Sequence, residues 1–328
     1  MSSDDNLSAE DRLIADYFKP VATHPGALGL TDDAAFVTPE PGTDVVLKTD
    51  AIIGGVHFFA EDDARDVARK ALRVNLSDLA AKGAAPLGFL VSLALPRETS
   101  AAWLQRFATG LREDAEAYRC PLFGGDTDRT PGPVMISISM FGSVPSGAMV
   151  RRAGAKPGHR VFVTGTIGDA ALGLKLRQGA SWPLADAQRA HLLSRYLLPQ
   201  PRNALAEVVR AYASASMDVS DGLAGDLTKL CRVSGVAAQI DAAAVPLSEA
   251  ARAAIAADAG LRETALTGGD DFEILCTVPP ARVDVFCTAA QATGVAVTDI
   301  GAIEAGEGAR FMDGGRQLAF ARLSFSHF

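Results

Sequence analysis

The sequence predicts a mixed α/β protein built from two domains. The chain has 328 residues, and at about 150 residues per domain this length corresponds to two domains. Segments with strand periodicity alternate with segments of helical periodicity, which is the pattern of α/β folds. Between residues 145 and 158, two clusters of Pro, Gly and Ser interrupt the alternation. We therefore predict one domain over residues 1–149 and a second over residues 150–328.

In the first domain, strands and helices follow one another in turn. Apolar runs indicate the strands, and apolar residues spaced three and four apart indicate the helices. In order, the predicted elements are a short helix that begins near Ser8, a strand over 44–49, a helix over 63–82, a strand over 87–95, a helix over 101–118 and a strand over 133–144. Gly83 ends the first long helix, and Pro96 ends the second strand.

The second domain continues the same alternation. Its predicted elements are a strand over 160–164, a helix that ends near residue 176, a strand over 213–219, a helix over 221–233, a strand over 237–240 and a strand over 272–278. Gly268 and Gly269 mark the turn before the last of these strands.

Composition and charge exclude several classes of function. The chain is 48% apolar and 21% charged, as in ordinary globular proteins, and it carries a net charge of −8. This acidic balance argues against binding to nucleic acid or to anionic membranes. We expect no transmembrane helix, because no apolar run is long enough, and the acidic start Met1–Asp5 does not resemble a signal peptide.

The cysteines predict a reducing compartment. Cys120, Cys231, Cys276 and Cys287 have neither the spacing of a zinc site nor that of a disulfide framework. We expect four free thiols and a cytoplasmic location.

Aspartates recur beside apolar elements, flanked mostly by small residues rather than by basic ones. They are Asp32, Asp33, Asp50, Asp78, Asp126, Asp218, Asp221, Asp270 and Asp271. Carboxylates that converge without cationic side chains repel one another, and a hard cation relieves this repulsion. Oxygen ligands favour Mg²⁺ over Zn²⁺. The alternative is that each aspartate caps a helix or ends a loop.

Asp78 argues for a bound partner. In the helix over 63–82 it falls on the same side as Val67, Ala71 and Val74, where a carboxylate needs a hydrogen bond, an ion pair or a metal. Lys82, four residues later, offers a plain ion pair as the alternative.

Two further segments suit phosphate chemistry. Gly124-Gly125-Asp126 places glycines, which permit close backbone approach, before an acid, although a simple turn is the alternative. Met217–Leu223 joins a strand to a helix with Asp218 and Asp221 at the corner, where a phosphate–Mg²⁺ site or a plain helix cap is expected. The loop Gly165–Asp169 is similar to a phosphate loop, but the chain has no P-loop motif. We find no motif that pairs a nucleophile with a base. His57 is a further candidate residue, because it lies seven residues after Asp50 in the same acidic segment.

These segments together resemble the thiamine-monophosphate kinase family, in the superfamily of aminoimidazole ribonucleotide synthetase and selenophosphate synthetase. The matching motifs are Thr31-Asp32-Asp33-Ala34-Ala35, Thr49-Asp50-Ala51, Gly55-Val56-His57-Phe58, Asn75-Leu76-Ser77-Asp78-Leu79-Ala80-Ala81, Gly124-Gly125-Asp126-Thr127, Arg152-Ala153-Gly154-Ala155-Lys156-Pro157-Gly158, Val163-Thr164-Gly165, Asp218-Val219-Ser220-Asp221-Gly222-Leu223, Gly268-Gly269-Asp270-Asp271-Phe272-Glu273 and Phe325-Ser326-His327-Phe328. They occur in order over nearly the whole chain, which makes the resemblance specific.

The resemblance implies transfer of a phosphoryl group from ATP to thiamine monophosphate, giving thiamine diphosphate, the last step of its biosynthesis. Several Mg²⁺ ions are implied, with Asp33, Thr49, Asp50, Asp78, Asp126, Asp218 and Asp221 as ligands, and Asp126 and Asp221 as catalytic residues. Tyr118, Gly125, Asp126, Arg152 and Ser220 are implied at ATP, and His57, Asp270 and Phe325 at the thiamine phosphate. The implied fold is that of aminoimidazole ribonucleotide synthetase, with an N-terminal ATP/Mg²⁺ domain that pairs in a homodimer to close a β-barrel, and a C-terminal domain that completes the active site.

Three positions depart from the family pattern. Thr31 replaces a usual glycine, Asp270 a usual glutamate and Phe325 a usual tryptophan, and we expect these changes to bear on substrate affinity. Aminoimidazole ribonucleotide synthetase is the alternative enzyme, and a non-catalytic ATP-binding regulator is the alternative class. The aspartate set argues against the regulator, because a binding protein has little need of so many metal ligands.

Overall fold

A computed structural model describes residues 8–325, and within them the chain forms ten α-helices and eleven strands. The segments Met1–Asp5 and Ser326–Phe328, which the sequence analysis singled out, lie outside the described residues. The fold divides into two compact units. The first holds the described residues up to Leu76 together with Ala85–Gly147, and the second holds Ser77–Ala84 and the chain from Ala148 onward.

The first unit is built on a four-stranded sheet. Its elements are α1 (Ala9–Leu13), a π-helical turn (Ile14–Phe18), a 3₁₀ segment (Pro25–Leu30), β1 (Thr43–Ile53), α2 (Ala64–Ala81, whose end belongs to the second unit), β2 (Ala85–Pro96), α3 (Ala101–Ala117), β3 (Leu122–Thr130) and β4 (Met135–Pro145). The strand order is β1-β4-β2-β3, and only the β2–β3 pair is parallel.

Alternation along the central strands places the core on one face of this sheet. Phe89, Val91, Leu93 and Leu95 are buried at every second position of β2, as expected for a strand with one covered face. α2 and α3 pack closely, since a Cβ added to Gly110 of α3 would lie 2.2 Å from the carbonyl oxygen of Arg65 in α2.

The second unit is built on a seven-stranded mixed sheet. Its elements are β5 (Arg160–Thr164), α4 (Asp169–Arg177), α5 (Asp186–Leu197), α6 (Ala206–Tyr212), β6 (Ala215–Val219), α7 (Leu223–Ser234), β7 (Ala237–Asp241), α8 (Glu249–Ala257), α9 (Leu261–Thr267), β8 (Glu273–Val278), α10 (Val283–Ala292), β9 (Val297–Glu304), β10 (Gly308–Asp313) and β11 (Arg316–Gln317). The strand order is β11-β10-β7-β9-β5-β8-β6.

Helices cover both faces of this second sheet. Successive residues of β5 enter different cores: Val161 and Val163 pack with α7, whereas Phe162 packs with α6 and α10. A third apolar cluster joins α4, α5, α8 and α9. The strands β5, β6 and β8 are therefore buried from both sides, whereas β7 exposes Gln239 and Asp241.

Most predicted elements are confirmed, and two differ in ways that matter for function. β1 continues to Ile53 because every residue from Thr43 to Ile53 pairs with β4, so Asp50 lies inside a strand and not at its end. Gly124-Gly125-Asp126 is also no turn, since it lies in β3 and pairs with β2. Helices α5, α6, α8, α9 and α10 were not predicted.

The expected free thiols are confirmed: Cys120, Cys231 and Cys276 are buried, Cys287 is half-buried, and all four are free. Within the described part of the chain, no helix combines the length and the apolar composition that crossing a membrane requires.

Candidate active site

A cavity of about 590 Å³ lies against the sheet of the first unit. Its wall brings together Asp33, Gly125 and Asp126, which the resemblance assigns to metal and nucleotide. The segment Asp32–Val37 lines one part of the wall, and residues of β2, β3, β4, the π-helical turn and the 3₁₀ segment line the rest. The volume falls within the range of small-molecule pockets.

Gly125 is required by the packing of β3 on β2. A Cβ at this position would lie 1.9 Å from the carbonyl oxygen of Val91, its partner in the parallel register. A Cβ on Gly124 would come no closer than 3.6 Å to another side chain, which is ordinary contact. Gly125 therefore allows β3 to approach β2 closely. The next residue, Asp126, is exposed and lines the cavity.

Thr31 also stands at the edge of this region. Its hydroxyl donates a hydrogen bond of 2.7 Å to the carbonyl of Leu28, and Leu28 and Leu30 adopt positive φ angles of 52° and 55°. The threonine thus closes a turn immediately before the acidic pair Asp32–Asp33.

Thr49 and Asp50 present their side chains on opposite faces of β1, because successive residues of a strand alternate. The Thr49 hydroxyl accepts a hydrogen bond of 3.3 Å from Ser139, and Ser139 lines the cavity. Asp50 forms an ion pair of 3.0 Å with Lys48 on its own face. Of the two side chains, it is Thr49 that the hydrogen bond connects to the cavity wall.

His57 is held in one orientation. Its Nδ1 accepts the main-chain N–H of Ile53 at 3.0 Å, so a neutral ring carries its proton on Nε2. Its own carbonyl accepts a bond of 2.9 Å from Lys70 Nζ.

Tyr118 directly follows α3, and its ring packs against the buried side chain of Arg73. The guanidinium carbon of Arg73 lies 5.7 Å from the centroid of the Tyr118 ring, within the range of a cation–π contact. Two bonds to Asp114, of 2.6 and 3.0 Å, fix the guanidinium. Burial opposes the charge of Arg73, but its bond to Asp114 prevails and the pKa of the guanidinium is raised. Arg73 and Asp114 therefore orient a predicted nucleotide contact, and sequence reasoning missed both.

In the second unit, the corner between β6 and α7 carries Asp218, Ser220 and Asp221. Asp218 is buried, and the corner is pinned by Asp226, whose Oδ2 accepts the N–H groups of Ser220 at 3.0 Å and Asp221 at 2.9 Å. Gly222 adopts a φ of 111°, and a Cβ there would lie 2.5 Å from the carbonyl oxygen of Thr267. The expected strand-to-helix corner is confirmed.

Lys229 of α7 contacts two carboxylates at this corner. Its Nζ forms an ion pair with Asp221 and another of 2.8 Å with Asp226. Burial raises the pKa of Asp226, and the bond from Lys229 works against that rise. Burial likewise disfavours the ammonium, yet its bonds to Asp221 and Asp226 prevail and raise the pKa of Lys229.

Main-chain hydrogen bonds join this corner to two other predicted segments. The N–H of Asp270 donates to the carbonyl of Ser220 at 2.9 Å, and the N–H of Phe325 donates to that of Asp221 at 3.0 Å. Asp270 has a φ of 70°, a conformation that costs energy in a non-glycine residue. The structure therefore brings Asp270 and Phe325, which the resemblance assigns to the thiamine phosphate, to the corner that carries the acids.

A buried ionic network supports the loop that carries Asp270. Glu273 is fully buried and accepts bonds from Arg195 at 2.7 Å, Arg202 at 2.6 Å and the Thr164 hydroxyl at 2.6 Å. No pattern in the sequence identified Arg195 or Arg202.

The loop Gly165–Asp169, which is similar to a phosphate loop in sequence, serves this same support. The N–H of Gly168 donates to the buried carboxylate of Asp271 at 2.8 Å, and the Thr166 hydroxyl donates to Asp169 at 2.6 Å. Burial raises the pKa of Asp271 well above its ordinary value. The Gly168 N–H and the Thr166 hydroxyl of this loop therefore form hydrogen bonds within the second unit.

Asp78 and Arg152 also fall in the second unit. Next to Asp78, the Ser77 hydroxyl donates to the carbonyl of Phe272 at 3.4 Å, and Lys82 Nζ donates to the carbonyl of Ser216 at 2.6 Å. This end of α2 thus lies beside β6 and the start of β8. The exposed Arg152 is anchored by its carbonyl, which accepts from Ser234 at 3.1 Å.

The predicted magnesium ligands divide between the two units. Asp33, Thr49, Asp50 and Asp126 belong to the first, and Asp78, Asp218 and Asp221 to the second. Among the side chains that the structure describes, no three of His, Cys, Asp or Glu come close enough to form a metal cluster. The oxygen-only donors fit Mg²⁺ in chemical type, and the individual ligand assignments stay predictions.

Comparison with known proteins identifies both halves of the chain. Residues 31–144 match the family model of the AIR synthase related protein N-terminal domain. Residues 156–314 match the model of the corresponding C-terminal domain. The chain therefore has the two-domain mixed α/β fold of these proteins.

Individual relatives are similar over almost their full length. A thiamine-monophosphate kinase of Caulobacter vibrioides is 42% identical, with 92% of this chain and 86% of the relative covered. The crystal structure of the Stenotrophomonas maltophilia K279a thiamine-monophosphate kinase superposes with a TM-score of 0.83 at 37% identity, covering 96% of this chain and 98% of the other. The complex of AaThiL with AMPPCP and TMP superposes with a TM-score of 0.78 at 32% identity, covering 90% and 91%.

Proposed function

Because the chain belongs to the thiamine-monophosphate kinase family of AIR synthase related proteins, we propose that it phosphorylates thiamine monophosphate with ATP. The product is thiamine diphosphate, and the reaction is the last step of its biosynthesis. The observation that carries this assignment is the 42% identity to a curated thiamine-monophosphate kinase over 92% of the chain. A related structure in complex with an ATP analogue and TMP supports the choice of both substrates.

The chemistry needs no protein nucleophile. The acceptor is a phosphate with a second pKa of about 6, so it is largely ionised at neutral pH and needs no general base. The bond from the γ-phosphorus to its bridging oxygen breaks, a bond to an acceptor phosphate oxygen forms, and ADP leaves. We propose direct in-line transfer without a phosphoenzyme. Bound Mg²⁺ ions would neutralise the two anionic reactants and align them.

We propose that residues of both units divide the binding tasks. Asp33, Thr49, Asp50, Asp78, Asp126, Asp218 and Asp221 would hold several Mg²⁺ ions, with Asp126 and Asp221 as the catalytic residues. Tyr118, Gly125, Asp126, Arg152 and Ser220 would contact ATP, and His57, Asp270 and Phe325 the thiamine phosphate. The cavity that joins Asp33, Gly125 and Asp126 supports the first part, and the bonds from Asp270 and Phe325 to the corner support the second.

We also propose that residues 1–149 form an ATP/Mg²⁺-binding and dimerisation domain, and that residues 150–328 complete the active site. β1 is an edge strand of its sheet within the described residues, and two of its apolar side chains, Leu47 and Val45, are 72% and 38% exposed. An exposed apolar edge strand favours pairing with a second chain. This supports a homodimer whose paired sheets close a β-barrel. The cytoplasmic location expected from the sequence stays a proposal.

Release of ADP with and without thiamine monophosphate tests this function against the alternatives. A kinase releases ADP only when the acceptor is present, in a one-to-one ratio with new thiamine diphosphate. A non-catalytic regulator binds ATP and releases no ADP under either condition. Protein that retains the γ-phosphate of labelled ATP after denaturation would contradict direct transfer.

A further inference from the structure

Lys229 is a cation that contacts the acidic corner, and neither the family motifs nor the proposed chemistry gives it a role. It lies on α7, and its ammonium contacts the carboxylates of Asp221 and Asp226. The Asp226 side chain is fully buried, whereas those of Lys229 and Asp221 are 31% and 40% exposed. Lys229 thus links a hidden carboxylate to one that faces the solvent.

Asp226 makes the corner dependent on this lysine. Its Oδ2 accepts the N–H groups of Ser220 and Asp221, and its Oδ1 accepts from Lys229 at 2.8 Å. A buried carboxylate is costly unless a counter-charge accompanies it. Lys229 supplies that charge, and Asp226 in turn fixes the main chain that carries Ser220 and Asp221.

The contact with Asp221 has a separate consequence. A divalent cation beside Asp221 must approach an ammonium that already bonds to the same carboxylate. The two positive charges repel, and the lysine occupies an oxygen that the metal would use. The ammonium therefore lowers the affinity of the corner for a divalent cation, by an amount that its removal reveals.

We propose that Lys229 is a positioning residue that moderates divalent-cation binding at the Asp218–Asp221 corner while it keeps that corner aligned through Asp226. The inference rests on the proposed function, which assigns Asp218 and Asp221 to Mg²⁺. It goes beyond that function, because it assigns the strength of metal binding to a residue that is not itself a ligand.

Titration of the full-length chain with Mn²⁺ in the presence of AMPPCP, followed by electron paramagnetic resonance, measures this affinity without turnover. The first variant is Lys229→Met. The second is Asp226→Asn with Lys229→Met, which removes both charges of the buried pair and keeps an oxygen to accept the two N–H groups. The controls are Lys229→Arg, which keeps the charge, and Arg262→Met, which breaks an ion pair of similar exposure with Asp313 elsewhere in the unit.

We expect Lys229→Met to bind Mn²⁺ about tenfold more tightly, the smallest effect that a unit charge at 4–6 Å has on protonation of a carboxylate. The double variant also loses the negative charge of Asp226, so we expect it to bind Mn²⁺ more tightly than the unmodified chain, through the freed oxygen of Asp221, but less tightly than Lys229→Met. Both controls should stay within about twofold of the unmodified chain. Unchanged or weaker Mn²⁺ binding in a folded charge-removing variant would overturn this inference alone. An unmodified chain that forms thiamine diphosphate yet binds no Mn²⁺ would overturn the metal assignment, and this inference with it.

Discussion

The main-chain N–H of Asp270 donates a hydrogen bond of 2.9 Å to the carbonyl of Ser220. One residue is proposed to contact the thiamine phosphate and the other the nucleotide. A second bond, from the N–H of Phe272 to the carbonyl of Val219 at 2.8 Å, continues the pairing. The segments proposed to hold the two substrates are therefore parts of one hydrogen-bonded surface, and a displacement of either moves the other.

Gly269→Ala tests this coupling. An added Cβ would lie 2.4 Å from the carbonyl oxygen of Ser220 and would push the two segments apart. We expect the KM values for thiamine monophosphate and for ATP to rise together, by about tenfold or more, in steady-state kinetics. Gly132→Ala is the control, because a Cβ added there would lie 3.4 Å from its nearest neighbour, the hydroxyl oxygen of Thr130. A rise confined to one substrate would contradict the coupling.

Adjacent glycines in β3 give a matched pair of variants. Gly125→Ala places a Cβ 1.9 Å from the Val91 carbonyl oxygen, so β3 must shift away from β2 and move Asp126. We expect Gly125→Ala to lower the affinity for AMPPCP by at least about tenfold in calorimetry. Gly124→Ala, with its nearest contact at 3.6 Å, should bind normally. Equal affinities in the two variants would show that β3 does not shape the nucleotide site.

Glu273→Gln tests the buried network beneath the Asp270 loop. The change removes the negative charge that Arg195 and Arg202 share, and it should lower the free energy of unfolding by about 3–5 kcal/mol in urea titrations. Glu304→Gln breaks a half-exposed pair with Arg310 and should cost less than about 1 kcal/mol. Similar losses in the two variants would mean that burial does not strengthen the network.

Asp271→Asn tests the raised pKa of a buried carboxyl by its effect on stability. Between the ordinary pKa of 3.8 and the higher native value, the folded protein holds a proton that the unfolded chain releases. The stability of the unmodified protein therefore falls as the pH rises through that window. Asparagine has no proton to lose, so the variant should lose less stability from about pH 4 to pH 8. Parallel curves of unfolding free energy against pH would contradict the raised pKa.

The elements that carry most of the aspartates could be predicted from the sequence, whereas the residues that pair with or support these aspartates could not. Hydrophobic periodicity located α2, β2, α3 and β5, since each buries one regular face or lies wholly within a core. The Asp218–Asp221 corner was visible because a strand signal ends where a helix signal begins. Asp50 was misplaced because strand pairing with β4, a long-range contact, extends β1 beyond its apolar run.

The supporting residues were missed for a common physical reason. Asp114, Arg195 and Lys229 lie on helices and Arg202 lies in a loop. In the sequence all four look like ordinary surface charges, and only tertiary packing buries or pairs them. Asp226 carried the one usable signal, because an acid in the first turn of a helix often accepts N–H groups at its start. The loop Gly165–Asp169 is similar to a phosphate loop in sequence but lacks the P-loop motif, and in the structure Gly168 permits close packing, since a Cβ there would lie 2.3 Å from that of Ala265.

The most direct test of the central claim is formation of thiamine diphosphate from thiamine monophosphate and ATP. Product is measured by fluorescence after oxidation, with Mg²⁺ present and with Mg²⁺ removed by chelation. We predict product that depends on Mg²⁺ and appears in a one-to-one ratio with ADP. A folded chain that binds AMPPCP yet forms no thiamine diphosphate with Mg²⁺ present would contradict the proposed activity.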